Sequence, residues 1–315
     1  MRLTHRSFPP PPNGFAALEL TPLRYFLRAA DRENFTQAAK ELSVSQPALS
    51  RAVAGLEREL GRPLFERDGR CVRLTDAGRT FRSQAAKIVG LADDARAALI
   101  DDGRTGAVRV AVIPTLAPQL LPPLLRAFVA IRPEAEVRVC EDVTAECVRR
   151  VRAGESDLAL MTLPVPDPSL RVERLYEEEL VAALPADHRL ADAANAPSLT
   201  VNDLQSEPFV LLGEAHCLSD EVLSFCRRSA VQPVVLERTS QLATVKELVA
   251  AGHGVSLVPA EATDDDPRIA YRRLAGDRPT RTVAATWDAD RYVSRLTAAF
   301  LDVLRGRNAP PPTLR

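Results

Sequence analysis

Two cysteines nine positions apart, Cys217 and Cys226, are the side chains in this 315-residue sequence best placed for redox chemistry. Cys217 follows His216 and precedes Asp220, and the spacing predicts a helix over 219–229 capped near Ser219. A thiol at a helix N-terminus sits where the macrodipole favours the thiolate. The thiolate is the species that a peroxide oxidises to a sulfenic acid. Cys226 would then be the resolving thiol. Nine residues of intact helix span roughly 13 Å at 1.5 Å per residue, yet a disulfide needs Cα atoms about 4.4–6.8 Å apart. Closing that bond requires the segment to unwind, and a bond open in one conformer and closed in another is a two-state switch.

A nucleophile–base reading of Cys217 with His216 fits less well. Adjacent residues rarely aim at one reacting atom, and no third group is evident to orient the histidine. The sequence has no phosphate-binding glycine loop, no metalloprotease motif and no Cys/His spacing of a zinc site. Neither enzymatic turnover, a cofactor nor a metal is therefore expected. Five cysteines, an odd number, do not make a disulfide framework. Cys71, Cys140 and Cys147 read as small buried or half-buried residues.

The elements that must position these groups are ordinary for a globular chain, with 46% hydrophobic and 26% charged residues, enough for two or three domains. Met1 to Leu20, with Pro9-Pro10-Pro11-Pro12, holds no apolar run suited to a signal peptide or a membrane span. It reads as a disordered extension (1–20), as 306–315 reads as a disordered tail, and a cytoplasmic location is expected. The net charge of −1 hides an asymmetry: residues 21–82 carry twelve Lys and Arg against eight Asp and Glu. A basic end joined to an acidic remainder suits a DNA-contacting part attached to a sensing part.

Within 21–60 the periodicity predicts three short helices. Leu23, Phe26, Leu27 and Ala30 mark the first, Thr36 is placed to cap the second, and Ser45 caps a third that Gly61 ends. The turn between the last two is that of a helix-turn-helix. Ser45, Gln46, Pro47, Ser50 and Arg51 then lie on the first turns of the recognition helix, where amide and guanidinium groups can read base edges. Thr36 and Ser45 at helix starts can hold phosphates. Phe65 to Leu74 fits a hairpin turning at Asp68-Gly69, a wing whose Arg67, Arg70 and Arg73 neutralise backbone charge. From Thr75 to about Asp102 runs a long helix striped with Phe81, Ala85, Ile88, Val89, Ala92 and Leu99, as in helices that pack against a twin. After 103–106, strands and helices alternate to residue 305, which predicts parallel-rich sheets and a ligand cleft between two half-units.

These residues carry a family resemblance. Leu23-x-x-Phe26, Phe35-Thr36-x-Ala38-Ala39-x-x-Leu42-x-Val44-Ser45-Gln46-Pro47-Ala48-Leu49-Ser50, Leu56-Glu57-x-x-Leu60-Gly61-x-Pro63-Leu64-Phe65-x-Arg67 and Leu74-Thr75-x-Ala77-Gly78 resemble the LysR-type transcriptional regulators. Ala250-Ala251-Gly252-His253-Gly254 running into Val255–Pro259 is similar to a helix-to-strand turn of that family. The resemblance implies an α/β protein with an all-α/winged N-terminus: a winged helix-turn-helix (21–78), a linker or dimerisation helix (79–103) and a two-lobed effector domain like periplasmic binding proteins (107–305). Lobe I would take about 107–180 and 276–305, and lobe II about 181–275. A homo-oligomer, dimer or tetramer, is expected on double-stranded promoter half-sites, with RNA polymerase as a possible partner. A solute-binding protein is the competing class, and the N-terminal helix-turn-helix speaks against it.

His216-Cys217-Leu218-x-Asp220 with Phe225-Cys226 further resembles the redox segment of OxyR-type peroxide sensors within that family. The resemblance implies Cys217 as peroxidatic thiol and Cys226 as resolving thiol. Thr115 (in Ile113-Pro114-Thr115), Thr144, His216 and Asp220 become the peroxide-positioning groups. It aligns Asp288 with a position where the family carries an arginine near the thiol, leaving Arg281 or Arg291 as substitutes. The threonines at helix starts equally suit a small anionic metabolite in the cleft, so the effector stands open between peroxide and metabolite.

Overall fold

The computed structural model describes residues 18–66, 72–192 and 198–306. They divide into two compact units that meet within one long helix, at Ala95 and Arg96. No described helix is long and apolar enough to cross a membrane, and no described group of three His, Cys, Asp or Glu residues could hold a metal ion.

The first unit is built from α1 (Leu20–Arg32), α2 (Phe35–Glu41), α3 (Gln46–Leu60) and the start of α4 (Asp76–Ile100). Leu23, Phe26 and Ala30 recur at helical spacing on the buried face of α1. They meet Leu49, Val53 and Leu56 of α3. Phe26 lies 5.5 Å from Phe65 and 5.4 Å from Phe81 between ring centroids, and Phe35 lies 5.2 Å from Phe65. Tilted aromatic contacts of this kind add about 0.5–1.5 kcal/mol each beyond their burial.

The caps fall partly where the sequence suggests. Ser45 Oγ accepts from the Ala48 N–H at 3.3 Å, and Gly61 ends α3 at φ 64°. Thr36, however, is not the cap of α2. Asn34 is, its Oδ1 accepting from the N–H groups of Thr36 (2.9 Å) and Gln37 (3.0 Å). An Asx side chain two residues earlier satisfies both orphan donors, which puts Thr36 inside the first turn. Phe65 and Leu74 pair antiparallel, and the Glu66 N–H donates to Arg73 O at 2.8 Å, as a hairpin requires. The expected turn at Asp68-Gly69, Arg67, Arg70 and Cys71 lie outside the described residues. Along α4, Phe81, Ala85 and Val89 join the core of this unit. Ile88, Leu91 and Leu99 point outward, Leu99 being 88% exposed.

The second unit contains β1 (Gly106–Val112), α5 (Ala117–Ile131), β2 (Ala135–Glu141), α6 (Thr144–Arg152), β3 (Leu158–Thr162), β4 (Leu170–Pro185), β5 (Pro208–Leu212), α7 (Cys217–Arg228), β6 (Val234–Thr239), α8 (Leu242–Ala250), β7 (Ser256–Pro259), β8 (Ile269–Arg272), β9 (Thr280–Asp288) and α9 (Arg295–Gly306). The main sheet runs β2-β1-β3-β9-β4-β7, with β8 also on β4, and β5-β6 form a second pair. Among the described strand pairs β1–β2, β1–β3 and β5–β6 are parallel; β9 runs antiparallel to β3 and β4, and β4 antiparallel to β7 and β8. The sheets are therefore mixed rather than parallel-rich. The reason is that β4 crosses from one half to the other. Residues 170–179 of β4 pair with β9, and residues 180–185 pair with β7 and β8.

Two large apolar cores follow from that crossover, with a smaller cluster of Val181, Ala183, Val249, Val258 and Ile269 besides. One gathers Val110, Leu124, Phe128, Leu160 and Phe300; the other gathers Leu184, Phe209, Leu211, Val222, Phe225 and Leu257. This is the two-lobed architecture expected from the alternation of strands and helices.

Candidate functional site

Between the two cores lies a pocket of about 670 Å³, lined among others by Thr144, Leu163, Leu180, Cys217, Glu221 and Phe225. Its chemistry begins at the start of α7. The helix opens at Cys217, with His216 as the preceding cap residue, rather than near Ser219. Ser219 lies inside the first turn because its hydroxyl donates back to Leu212 O at 2.6 Å, pinning the helix to the end of β5. Cys217 is half-buried against the first core, whereas Leu218, Val222, Phe225 and Cys226 on the same helix pack into the second. α7 thus spans the seam between the two lobes.

Three groups converge on the Cys217 sulfur. Thr162 Oγ1, at the end of β3, donates to Sγ at 3.1 Å. Thr144, first residue of α6, presents a buried hydroxyl that bonds no described atom, and it favours the charged form of the thiol. Arg281 on β9 does the same through its charge. Burial and then the Glu221 carboxylate outweigh all three, so the Cys217 thiol is pushed up from its ordinary range. The expected gain from the helix N-terminus is therefore overridden by desolvation in this conformer.

Arg281 has its side chain wholly shut from solvent. Its Nε donates to Glu178 Oε2 at 2.6 Å, Nη1 to Thr115 Oγ1 at 2.9 Å and Nη2 to Thr115 O at 3.2 Å. Burial raises the Glu178 carboxyl, and Arg281 opposes that rise. Thr115 consequently meets the site through Arg281 and does not line the pocket. Asp220 is exposed and lines it, while half-buried His216 is absent from its walls.

Cys226 is fully buried in the second core, and burial pushes its thiol up to about 11. With α7 continuous from Cys217 to Arg228, the two sulfurs' backbones are roughly 13 Å apart at 1.5 Å per residue. No disulfide can close without unwinding.

The aligned arginine position is resolved by the same geometry. Asp288 sits seven residues from Arg281 at the far end of β9, accepting from Arg152 Nη1 at 3.0 Å. Arg291 lies beside Asp288, its N–H donating to Asp288 O at 3.3 Å. Arg281, not Arg291, is the cation at the thiol, and Asp288 is not among the groups acting on it.

Thr162, Glu178 and Glu221 carry this site without having been singled out in the sequence. Glu221 had a readable signal, four positions after Cys217 on one helix face. Thr162 and Glu178 lie on strands remote in sequence.

At the other end of the chain, Ser45, Gln46, Pro47 and Arg51 are exposed on the first turns of α3, with Ser50 half-buried and Thr36 exposed on α2. Gln46 Nε2 donates to Ser50 Oγ at 3.0 Å, and Arg51 Nε to Pro47 O at 3.3 Å.

Two families match. The bacterial regulatory helix-turn-helix protein, lysR family, covers residues 20–79, and the LysR substrate binding domain covers residues 101–309. A probable hydrogen peroxide-inducible genes activator of Mycobacterium avium is 36% identical over 267 residues, 83% of this chain and 85% of that protein. A full-length OxyR variant from Pseudomonas aeruginosa superposes with a TM-score of 0.77 at 30% identity, covering 92% of this chain and 95% of that one. Full-length CbnR in complex with its target DNA superposes with a TM-score of 0.67 at 28% identity, over 93% of this chain and 100% of that one.

Proposed function

The chain belongs to the LysR-type transcriptional regulators, which are not enzymes, and from that premise we propose that it is an activator switched by oxidation of Cys217. The observation that carries this reading is the convergence of Thr162, Thr144 and Arg281 on one thiol at the wall of the inter-lobe pocket. The naming of similar proteins as peroxide-inducible activators and as OxyR supports it.

In this reading the Cys217 thiol loses its proton and the thiolate attacks one peroxide oxygen. The O–O bond breaks, sulfur is oxidised to the sulfenic acid, and hydroxide leaves and takes up the released proton as water. The Cys226 thiol then attacks that sulfur, the S–S bond forms and a second water departs. Because α7 holds the cysteines too far apart, the second step needs the helix to open, which would repack both lobes. Thr115, through Arg281, together with His216 and Asp220, completes the surroundings of the peroxide.

DNA is engaged by Ser45, Gln46, Pro47, Ser50 and Arg51, with Thr36, Arg67 and Arg70 on phosphates. The outward Ile88, Leu91 and Leu99 of α4 suit pairing with a second copy, as a dimer or tetramer. RNA polymerase is the partner an activator would recruit. Working limits of 21–78, 79–103 and 107–305 serve for the three parts.

A second reading rests on one observation: about 670 Å³ is far more room than a peroxide fills. That space suits a metabolite. The lining carries Glu214, Asp220 and Glu221 against Arg228, which suits a neutral or cationic ligand better than an anion. A disulfide map by mass spectrometry before and after stoichiometric peroxide separates the readings. Oxidation of Cys217 with loss of the peroxide response in Cys217→Ser supports the switch, and a Cys217 that stays reduced overturns it.

A further inference from the structure

Glu221 lines the pocket beside Cys217, and the proposed switch does not use it. It follows Cys217 by one helical turn on α7, and both residues line the same pocket. Both of its carboxylate oxygens are buried and hydrogen-bonded to no described atom. The cation closest in role, Arg281, gives its bonds to Glu178 and Thr115. The Thr162 hydroxyl stands beside Glu221 as well, but donates to the Cys217 sulfur. A buried carboxylate thus shares the seam with a thiol, its oxygens without a hydrogen bond to any described atom and its charge offset only at a distance by Arg281.

We propose that Glu221 is a positioning residue that restrains ionisation of Cys217, so that the sensor answers only to a high oxidant load. The inference rests on the reading of Cys217 as the oxidised thiol. Its physics is like-charge repulsion in a desolvated seam: a thiolate formed beside an ionised Glu221 pairs two anions with little water between them. The groups acting on Glu221 are Arg281 from β9, Glu178 from β4 and Asp220 on its own helix, with Glu214 and Arg228 on the pocket lining. Burial raises Glu221 to about 6, Arg281 favours its charged form, and Glu178 and Asp220 disfavour it. Around neutral pH the carboxylate is therefore mostly charged and the restraint is on. A protonated Glu221 releases it.

The test uses the full-length protein and two probes of Cys217: iodoacetamide alkylation against pH, and sulfenic acid formation with hydrogen peroxide. Glu221→Gln should move the alkylation profile of Cys217 to lower pH by about one unit, a tenfold gain in thiolate. Because nucleophilicity falls with thiol pKa, the gain in peroxide rate at neutral pH should be smaller, roughly threefold. The wild-type chain supplies a second arm that needs no folded variant. Just above pH 6 its alkylation rate should climb less than tenfold per unit, because each Glu221 that loses its proton suppresses the neighbouring thiol. A Glu221→Gln profile that coincides with the wild type, or a wild-type slope of tenfold per unit throughout, overturns the proposal. A shifted alkylation profile in a protein whose Cys217 ignores peroxide supports the restraint and instead overturns the peroxide reading.

Discussion

Glu178 on β4 and Arg281 on β9 are register partners whose side chains meet at 2.6 Å with almost no solvent contact. The pair sits just before the point where β4 passes from β9 to β7 and β8, and Arg281 continues from it to Thr115. It is the ionic link between the sheet and the sensing seam. A buried pair is weak evidence for stability as such, but removing one partner leaves a charge with nowhere to go.

Arg281→Met should accordingly destabilise the regulatory unit by about 3–5 kcal/mol, read as a shift in the urea midpoint. The double variant Glu178→Leu with Arg281→Met should cost much less than the single one, because Glu178 is no longer left as an unpaired buried carboxylate. A double variant as unstable as the sum of both singles would mean that the pair acts through packing rather than charge.

How far this seam could be read from the sequence depends on which contacts are local. The caps at Ser45 and Gly61, the Phe65–Leu74 hairpin and the α7 cysteines all arise within a few residues and were legible. Asn34 displaced Thr36 as a cap because two side chains of similar chemistry stood close together. Residues 170–179 of β4 went unseen since Arg171, Glu173, Arg174, Glu177, Glu178 and Glu179 give that half of the strand a loop-like polarity. Their strand partner is β9, about a hundred residues later, and of the six only Glu178 is buried against it. The aligned Asp288 suggested an acid beside the thiol, whereas the cation is seven residues earlier on the same strand. Only the pairing of β9 with β3 and β4 tells those two positions apart.

Glu221 should also leave a signature in stability against pH. Its folded value, about 6, lies above the ordinary 4.5, so folding favours its neutral form. The stabilisation it gives is complete below about pH 4.5 and is lost as pH rises through about 6. The full span is about 2 kcal/mol, at 1.36 kcal/mol per unit. Relative to wild type, Glu221→Gln should thus gain stability between about pH 5 and 7, by about 1 kcal/mol. Equal pH dependence of the two proteins in chemical denaturation would contradict this.

Two of the other described cysteines, Cys147 and Cys226, should behave as packing residues in the resting protein. Cys147 is fully buried, and burial pushes its thiol up to about 12; its sulfur contacts Asp142 O at 3.3 Å. Cys226 is as deeply buried, at about 11. In the native protein at pH 8 both should resist iodoacetamide and react only on unfolding. After peroxide treatment Cys226 should leave the free-thiol pool only together with Cys217, while Cys147 stays reduced. Peptide mass spectrometry of the labelled protein reads both outcomes.

Gly78 supports the first unit by having no side chain. A Cβ there would lie 2.1 Å from Leu64 O, a backbone atom held in place by the Thr75 N–H at 3.0 Å and unable to retreat. Gly78→Ala should therefore destabilise the DNA-binding unit by about 1–3 kcal/mol through overpacking. Operator affinity should fall with it, and thermal melting of residues 18–95 within the whole chain, followed by hydrogen exchange, locates the loss.

Arg51 gives the sharpest test of how the recognition helix works. It is exposed on the second turn of α3, and its Nε donates to Pro47 O at 3.3 Å, which folds the guanidinium back along the helix start. A bond that long to an exposed carbonyl is weak, so reaching a base edge requires little. Arg51→Ala should weaken a specific operator by about 1–3 kcal/mol, relax selectivity at one base pair, and leave stability nearly unchanged. Gel-shift titrations on operator and random duplexes at two salt concentrations decide the point. A phosphate contact would instead lower both affinities alike and reduce the salt slope by about one, because one fewer counterion would be released.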